Sequence, residues 1–591
     1  MAETVNSTRE WTLIFYFASD NPLAPGIVSQ LKAIKQAGFH PEANIVVHFD
    51  PNADNSPVHI FDVNHVNKIR AGGKPRIGFP LNPPFVRNLV EDKLWGKQKK
   101  EIIRAVLQKE LRNKNIDYAP PGTPAKMSGE QNPREALRAF LDFCRRYYPA
   151  RHYMLFIMGH GLVVGNNLFL FDEHASEHSL SLIDLGSVLR GFKRKLNEQK
   201  AQFQLLSFHS CSMGGLEVAY ELQGTANYML ASQGLAFVGS WPYHQILVSV
   251  LNKIRRLVAA ENGIEKKNGA ATVGRKESPA RIINELVKEI WSCCYLSSYD
   301  FQLAGYSFDL SLCDLSKVHE IKTPLKELSS ALIKGLTDPV SRERILLAHW
   351  DAQSYWKENY TDLYDYCFRL YQRCEDAKPA NGKTRATVQS IQKTCDEVIR
   401  VLTSGDNNLV IRSGFTGPAH QYSHGLFVFF PWAEPRNRQF WLDEYGRYRF
   451  KETSWRQFLD RYFENTMRQP RSYEHHSSNG FEGKAGLDEI LLENIPGHDL
   501  NCEAQLGKGD SMNTKQQRSN KNAHKRGVQL SRKEGFWPFD PGDPLDPQKG
   551  SGSDATGDDS GTSSIKNYPS VTGGPIGKDK RALTRKRATK E

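Results

Sequence analysis

HYMLFIMGHG at residues 152–161 and FQLLSFHSCSMGG at residues 203–215 are the two stretches that decide the fold. Each begins with a continuous apolar run, which is typical of a parallel strand that helices cover on both faces. His160 follows the first run and Cys211 follows the second. Because ligands bind at the carboxyl ends of parallel strands, we expect these two side chains to share one crevice.

The sequence around these two stretches alternates between strand and helix patterns. Strands are predicted at 11–18, 44–50, 59–63, 166–173 and 227–232, and helices at 27–37, 181–195 and 214–222. This alternation predicts an α/β fold with a mostly parallel sheet between layers of helices, over about residues 8–255. Residues 64–128 are rich in Lys, Arg, Pro and Gly, and we interpret them as an inserted excursion.

The second half of the chain has a different pattern. Residues 278–405 carry helical periodicity, and a strand pattern returns at 425–431, so we predict a second, mainly helical domain over 278–468. From 470 to 591 the periodicity is lost, Ser, Gly, Asn, Asp and Lys dominate, and the end is basic. This composition predicts a disordered tail, interrupted by the apolar island FWPF at 536–539.

Composition narrows the function classes. The 591 residues carry a formal net charge of +12, but Lys and Arg are interspersed with Asp and Glu, so nucleic acid is an unlikely partner. No apolar run approaches the roughly 20 residues that cross a bilayer, and no signal peptide is recognised, so we predict a cytoplasmic protein without a membrane partner. The nine cysteines are scattered and form no C-x-x-C pair, which fits a reducing compartment.

A Cys/His pair is a chemical unit. The thiolate attacks a carbonyl carbon, and the imidazole transfers the proton to the leaving amine. The backbone N–H groups of Gly161 and Cys211 are candidates for stabilising the oxyanion. A lone Cys at a strand end is more often a small buried hydrophobic residue, but the two strand ends and their glycines together favour the pair.

Five motifs in order carry a resemblance to a known family. They are WTLIFYFASDN, FIMGHG, CSMGGLEVAYEL, ASQGLAFVGSWPYHQIL and HGLFVFFP. Over about residues 8–465 the sequence resembles the caspase-like cysteine peptidases, and among them the clostripain family. The resemblance implies a caspase-like α/β/α sandwich with Cys211 as nucleophile and His160 as general acid/base.

The resemblance also bears on cofactors and processing. The implied chemistry requires no cofactor, while family members are often stimulated by calcium and cleave themselves. Residues 64–128 and the region after Leu257 are candidate cut sites. The segment DEHASEH, with His174 and His178, is interpreted as a solvated loop, and no metal site is predicted from the sequence.

One position departs from the family pattern. Clostripain-like enzymes usually carry Asp two residues before the nucleophile, where it binds a P1 Arg or Lys, and this chain has His209 there. An imidazole does not replace a carboxylate opposite a guanidinium. One hypothesis is an S1 pocket near His209, Ser232 and Gln233 that prefers an acidic or polar P1 residue. The alternative is that His209 points into the sheet and another acid, such as Glu217, recognises P1.

The predicted function is therefore a cysteine endopeptidase that acts on protein or peptide substrates through a Cys211/His160 dyad. Two alternatives stay open. In the first alternative the chain is a latent peptidase that a separate protein partner activates. In the second it is a scaffold that keeps the peptidase fold and works by binding.

Overall fold

The computed structural model describes residues 9–21, 23–37, 42–50, 58–63, 87–88, 132–161, 169–172, 179–261, 279–356, 358–375, 382–435 and 440–467. Several sequence predictions lie outside these residues. They are the excursion apart from 87–88, the candidate cut sites at 262–278, both histidines of DEHASEH, and the tail from 470 onward.

The strands form two sheets. In chain order they are β1 Arg9–Phe17, β2 Ala43–Phe49, β3 His59–Asp62, β4 Arg87–Asn88, β5 Ala150–Met158, β6 Gln202–His209, β7 Tyr228–Ala231, β8 Phe308–Asp314, β9 Ser354–Tyr355, β10 Tyr360–Asp362, β11 Val410–Thr416 and β12 Phe427–Phe429. The nine-stranded sheet has the order β11-β8-β7-β6-β5-β1-β2-β3-β4, and the three-stranded sheet has the order β12-β10-β9.

The centre of the large sheet is parallel. β1 pairs in parallel with β2 and β5, and β6 pairs in parallel with β5 and β7. These are the strands with continuous apolar sequence, and their residues are buried on both faces, as a sheet covered by helices requires. Antiparallel pairs lie further out, between β2 and β3 and between β7, β8 and β11.

Helices cover both faces of this sheet. They are α1 Ala24–Ala37, α2 Pro133–Tyr147, α3 Leu182–Glu198, α4 Leu216–Glu221, α5 Tyr243–Glu261, α6 Pro279–Leu303, α7 Lys322–Leu336, α8 Pro339–Asp351, α9 Leu363–Glu375, α10 Gly382–Leu402 and α11 Trp455–Met467. Short 3-10 turns span Leu315–Ile321, Pro418–His420, Tyr445–Arg447 and Arg449–Thr453, and a π-helical turn spans Phe440–Glu444. Among the residues described, no helix combines the length and the apolar character needed to cross a membrane.

The core lies in two layers, one on each side of the sheet. Leu155 and Ile157 of β5 pack in one apolar cluster with α2, α3 and α4, while Met154, Phe156 and Met158 pack in the other with α1, α5 and α6. Successive side chains of a strand point to opposite faces, so one strand serves both layers. The predicted α/β/α sandwich with a mostly parallel sheet is confirmed.

The segment 278–468, predicted as a separate helical domain, contributes β8 and β11 to the large sheet. The strand predicted at 425–431 is β12, and it pairs with β10 in the small sheet.

One predicted strand is wrong. Of residues 166–173, the structure describes 169–172, of which Phe169 and Leu170 form a turn and the other two have no regular secondary structure. Leu170 has a φ of 55° and its N–H donates to the His160 carbonyl oxygen at 3.3 Å. Phe169 and Leu170 are buried because the chain folds back on the turn after β5, so their apolar character does not require a strand.

Candidate active site

The strand register brings the turns of His160 and Cys211 to one level. β5 and β6 are parallel neighbours that align Met158 with His209, and each of these residues stands two positions before a member of the predicted pair. Gly161 lies directly against the Cys211 backbone, and a Cβ on Gly161 would overlap the Cys211 carbonyl oxygen. A glycine is therefore required where the two turns meet.

The turn after Cys211 is tightly held. Ser212 has a φ of 52°, in the left-handed region that non-glycine residues rarely adopt, and its N–H donates to the Gly234 carbonyl oxygen at 2.9 Å. The Gly214 N–H donates to the Ser232 carbonyl oxygen at 2.7 Å. A Cβ on Gly214 would lie 2.8 Å from the Ser232 carbonyl carbon, so this approach also requires glycine.

The Cys211 thiol is partly buried and contacts the loop that follows β7. The Ala236 N–H donates to Sγ at 3.3 Å, and Sγ lies 3.7 Å from the Ala236 carbonyl oxygen. Burial raises the pKa of the Cys211 thiol, and the N–H groups of Ala236 and Cys211 itself partly oppose this shift. The thiol is therefore protonated at neutral pH.

The His160 imidazole is neutral. Burial lowers its pKa from 6.5 to about 4, because a charged ring would lose its hydration. Nε2 is buried and has no hydrogen-bond partner in the described part of the chain. The ring lies edge-on to the Phe171 ring at 6.2 Å between centroids. A neutral imidazole with an unoccupied buried nitrogen is suited to accept a proton.

His209 faces the layer of helices α1, α5 and α6. Its Nε2 lies 2.6 Å from the Phe237 carbonyl oxygen, and its Nδ1 lies 3.1 Å from the Tyr243 hydroxyl. These partners fix one tautomer, in which Nε2–H donates and Nδ1 accepts. The ring stacks on Trp241 with 4.7 Å between centroids and 5° between planes. Burial lowers the pKa of His209 to about 3.

The other two predicted S1 residues are also buried. The Ser232 hydroxyl donates to the Gly234 carbonyl oxygen at 3.4 Å. The Gln233 side chain donates to Asp362 at 2.9 Å and accepts from the Gly425 N–H at 2.9 Å. All three residues predicted to line S1 are thus engaged inside the protein.

Glu217, the acid named as an alternative for P1 recognition, joins α4 to the small sheet. Its Oε1 accepts from the Phe429 N–H and from the Tyr445 hydroxyl, each at 2.9 Å. Oε2 is buried and has no partner in the described residues. Burial raises the pKa of Glu217 from 4.5 to about 7. These contacts give the carboxyl a structural role in the resting protein.

Carboxylates gather at a neighbouring strand end. Oxygen atoms of Asp20, Asp50 and Asp172 lie within 4.8 Å of one another. Asp20 and Asp50 are buried after β1 and β2, and Asp172 is partly buried. The sequence pattern, in which Pro51 and Asn52 follow, predicts that Asp50 belongs to a turn. Calcium prefers carboxylate oxygens, so this donor set fits the cation that the family resemblance allows.

Comparison with known proteins identifies the family. The sequence profile of the clostripain family matches residues 94–462, which is more than half of the chain. The chain belongs to the clostripain family. The family predicted from the five motifs is therefore confirmed.

The individual proteins that are similar to this chain share less than a quarter of their aligned residues with it. Clostripain from Hathewaya histolytica is 23% identical over 349 residues, an alignment that spans 54% of this chain and 61% of that protein. The inactive zymogen C11 protease from Parabacteroides distasonis has 16% identity and a TM-score of 0.41, with 76% of this chain and 99% of that chain covered. A secreted C11 cysteine protease from Bacteroides thetaiotaomicron, in complex with an irreversible peptide inhibitor, has 13% identity, the same coverage and a TM-score of 0.40.

Two residues of this clostripain-family site were not found from the sequence. Asp309 on β8 accepts from the Gly234 N–H at 2.9 Å, so it anchors the loop that contacts Cys211, and its Oδ2 lies 2.8 Å from His420 Nδ1. An acid inside the alternating strand FDLSLCD was its available signal. Ala236 acts through its backbone, and a backbone contact leaves no mark in the sequence.

Proposed function

We propose that this chain is a cysteine peptidase that hydrolyses peptide bonds, with Cys211 as nucleophile and His160 as general acid/base. The main support is the junction of the two turns, where Gly161 packs against the Cys211 backbone at the carboxyl ends of two parallel strands. This is the edge where open α/β sheets bind ligands. Membership of the clostripain family supports the same chemistry.

The proposed reaction starts from a neutral pair. The thiol keeps its proton and the imidazole lacks one, as burial favours for both groups. As Sγ attacks the carbonyl carbon, its proton passes to His160. The His160 imidazolium then protonates the leaving amine, and an acyl-enzyme forms. Water attacks the acyl-enzyme with His160 as base, which releases the carboxylic acid and restores the thiol.

The negatively charged oxygen of the tetrahedral intermediate is stabilised by hydrogen-bond donors. We assign this role to the backbone N–H groups of Gly161 and Cys211, which belong to the two turns that meet. Fixed backbone donors stabilise an oxyanion without rearranging during the reaction. The Ala236 N–H, 3.3 Å from Sγ, would stabilise the thiolate as it forms.

P1 recognition follows from the position of His209. Both of its nitrogens contact protein groups, and its pKa of about 3 keeps the ring neutral. A P1 Arg or Lys therefore meets no carboxylate at this position. We propose that acidic or polar P1 side chains are cleaved at least as well as Arg or Lys.

The test compares the full-length wild type, Cys211→Ala and Cys293→Ala on fluorogenic peptides that vary P1 through all residues. Cys293 is a partly buried free cysteine on α6, so its replacement is the matched control. We expect the wild type and Cys293→Ala to cleave and Cys211→Ala to be inactive. Equal cleavage by Cys211→Ala would refute the nucleophile, and a tenfold preference for P1 Arg or Lys would refute the specificity.

A latent peptidase is the second candidate, because the N–H and the carbonyl oxygen of Ala236 already contact Cys211 Sγ in this structure. A latent enzyme would show a lag before cleavage, and Cys211 would react faster with iodoacetamide after activation. Mass spectrometry of the same samples would show whether chain cleavage or a protein partner ends the lag. A folded wild type that never cleaves any peptide would favour the scaffold.

A further inference from the structure

The loop at residues 232–236, which follows β7, lies against the turn of the proposed nucleophile. The Gly234 carbonyl oxygen accepts from the Ser212 N–H at 2.9 Å. Two positions further on, the Ala236 N–H donates to Cys211 Sγ at 3.3 Å. A shift of this loop would therefore change the surroundings of the sulfur.

A buried carboxylate on β8 holds the backbone of this loop. Asp309 is 2% exposed, and its Oδ1 accepts from the Gln233 N–H at 2.5 Å. Its Oδ2 accepts from the Gly234 N–H at 2.9 Å. Hydrogen bonds that a carboxylate accepts are stronger than those between neutral groups. Because two consecutive N–H groups bind one carboxylate, the direction of the loop is fixed at this point.

His420 contacts both the carboxylate and the loop. Its Nδ1 lies 2.8 Å from Asp309 Oδ2, which is within ion-pair distance, and its side chain is 12% exposed. A Cβ on Gly234 would overlap His420 Cε1, so the ring packs directly on the loop backbone. The ring belongs to the 3-10 turn Pro418–His420, which comes from a distant part of the chain. The loop is thus held by residues of two other segments.

The charge of Asp309 does not activate the thiol. Burial is the main cause of the raised pKa of Cys211, and the negative charge of Asp309 raises this pKa further. A carboxylate at this place therefore disfavours the thiolate. Any contribution of Asp309 to the reaction must come from its contacts with the loop.

We propose that Asp309 and His420 are positioning residues for the 232–236 loop. They hold this loop so that the Ala236 N–H points at Cys211 Sγ. A fixed backbone donor at that place stabilises the negative charge that develops on sulfur. The effect on catalysis rests on the proposed function, whereas the control of the loop over the thiol does not.

The test measures two reactions of the same full-length proteins. One is the alkylation of Cys211 by iodoacetamide, followed by mass spectrometry, with the partly buried free cysteine Cys293 as internal reference. The other is cleavage of the fluorogenic peptide that the wild type cleaves best. In Asp309→Asn the loop should move away from Sγ, so we expect about threefold faster alkylation of Cys211 and about tenfold lower kcat. The alkylation rate of Cys293 should not change, which excludes general unfolding.

His420→Ala separates the position of the loop from the charge of Asp309. Removing that charge would itself favour the thiolate and speed alkylation without any movement of the loop. His420→Ala keeps the carboxylate and removes the ring that packs on Gly234. We expect about twofold faster alkylation of the nucleophile here, again with a lower kcat. Asp338→Asn is the matched control, because its carboxylate also accepts from a backbone N–H, that of Ser341 at 2.9 Å, and it should alter neither reaction.

Three results would overturn the proposal. Unchanged alkylation in both variants would show that Asp309 and His420 do not control the loop. Faster alkylation in Asp309→Asn alone would assign the effect to charge. Faster alkylation without a loss of cleavage would show that the loop covers the thiol and does not position a donor for it. If the wild type cleaves no peptide, the proposed function fails, while the alkylation rates still decide whether the two residues hold the loop.

Discussion

His160 lies just after β5, and His209 is the last residue of the neighbouring strand β6. Burial keeps both imidazoles neutral, with a pKa of about 4 for His160 and about 3 for His209. They differ in their hydrogen bonds. His209 has partners on both ring nitrogens, whereas Nε2 of His160 has none in the described residues. Burial alone therefore does not separate the histidine that we propose as general acid/base from one held by hydrogen bonds inside the protein. The two histidines differ in that Nε2 of His160 has no partner among the described residues.

The largest expected effect comes from His160→Ala. Loss of the general acid/base should lower kcat/KM on the order of 10³-fold, while the melting temperature should fall less than in His209→Ala, because no hydrogen bond of Nε2 is lost. Steady-state kinetics and thermal unfolding on the same preparation measure both. His319→Ala, at an exposed histidine, is the control and should alter neither. A His160→Ala variant with unchanged kcat/KM would contradict the comparison.

His209→Ala should show the opposite pattern. It removes the partners of the Phe237 carbonyl and the Tyr243 hydroxyl and leaves a cavity beside Trp241. We expect the free energy of unfolding to fall by about 3 kcal/mol. Chemical denaturation measures this loss, and His319→Ala is again the control. Unchanged stability, with a new P1 preference, would instead place His209 in the substrate pocket.

Glu217→Gln extends the comparison from the two buried histidines to a buried carboxyl group, and it tests how that group changes stability with pH. The folded-state pKa of about 7 lies above the ordinary value of 4.5, so the folded protein binds the extra proton between these pH values. Glu217 therefore contributes stability that is fully present below pH 4.5 and is lost as the pH rises through 7. Gln is neutral at every pH, and we expect it to remove a decline of about 3 kcal/mol across this window.

Denaturant midpoints at a series of pH values would measure this effect. Asp142→Asn is a suitable control, because the pKa of that carboxyl is lowered and its contribution has the opposite sign. An unchanged pH profile in Glu217→Gln would show that the carboxyl is ionised throughout.

The sequence predicted the sheet centre, and with it the level at which the turns of His160 and Cys211 meet, because both depend on local patterns. β5 and β6 are continuous apolar runs, and parallel pairing then places the residues that follow them together. The orientation of His209 could not be read in this way. It depends on Phe237 and Tyr243, which return to the strand end from a later loop and helix. β8 lies between two long helices and β11 directly follows another, so their patterns were missed, and only tertiary pairing places them in the large sheet.

The smallest expected effect concerns the turn between the nucleophile and α4. Ser212 adopts a φ of 52°, and its buried hydroxyl has no hydrogen-bond partner in the described residues. Ser212→Gly should relieve the left-handed conformation, offset in part by the greater freedom of glycine when unfolded, and raise stability by about 0.5 kcal/mol. Ser212→Val should lower it, because a β-branched residue resists this φ. If thermal unfolding ranked Val above Gly, the turn would not be strained, and the fixed position of Cys211 would need another cause.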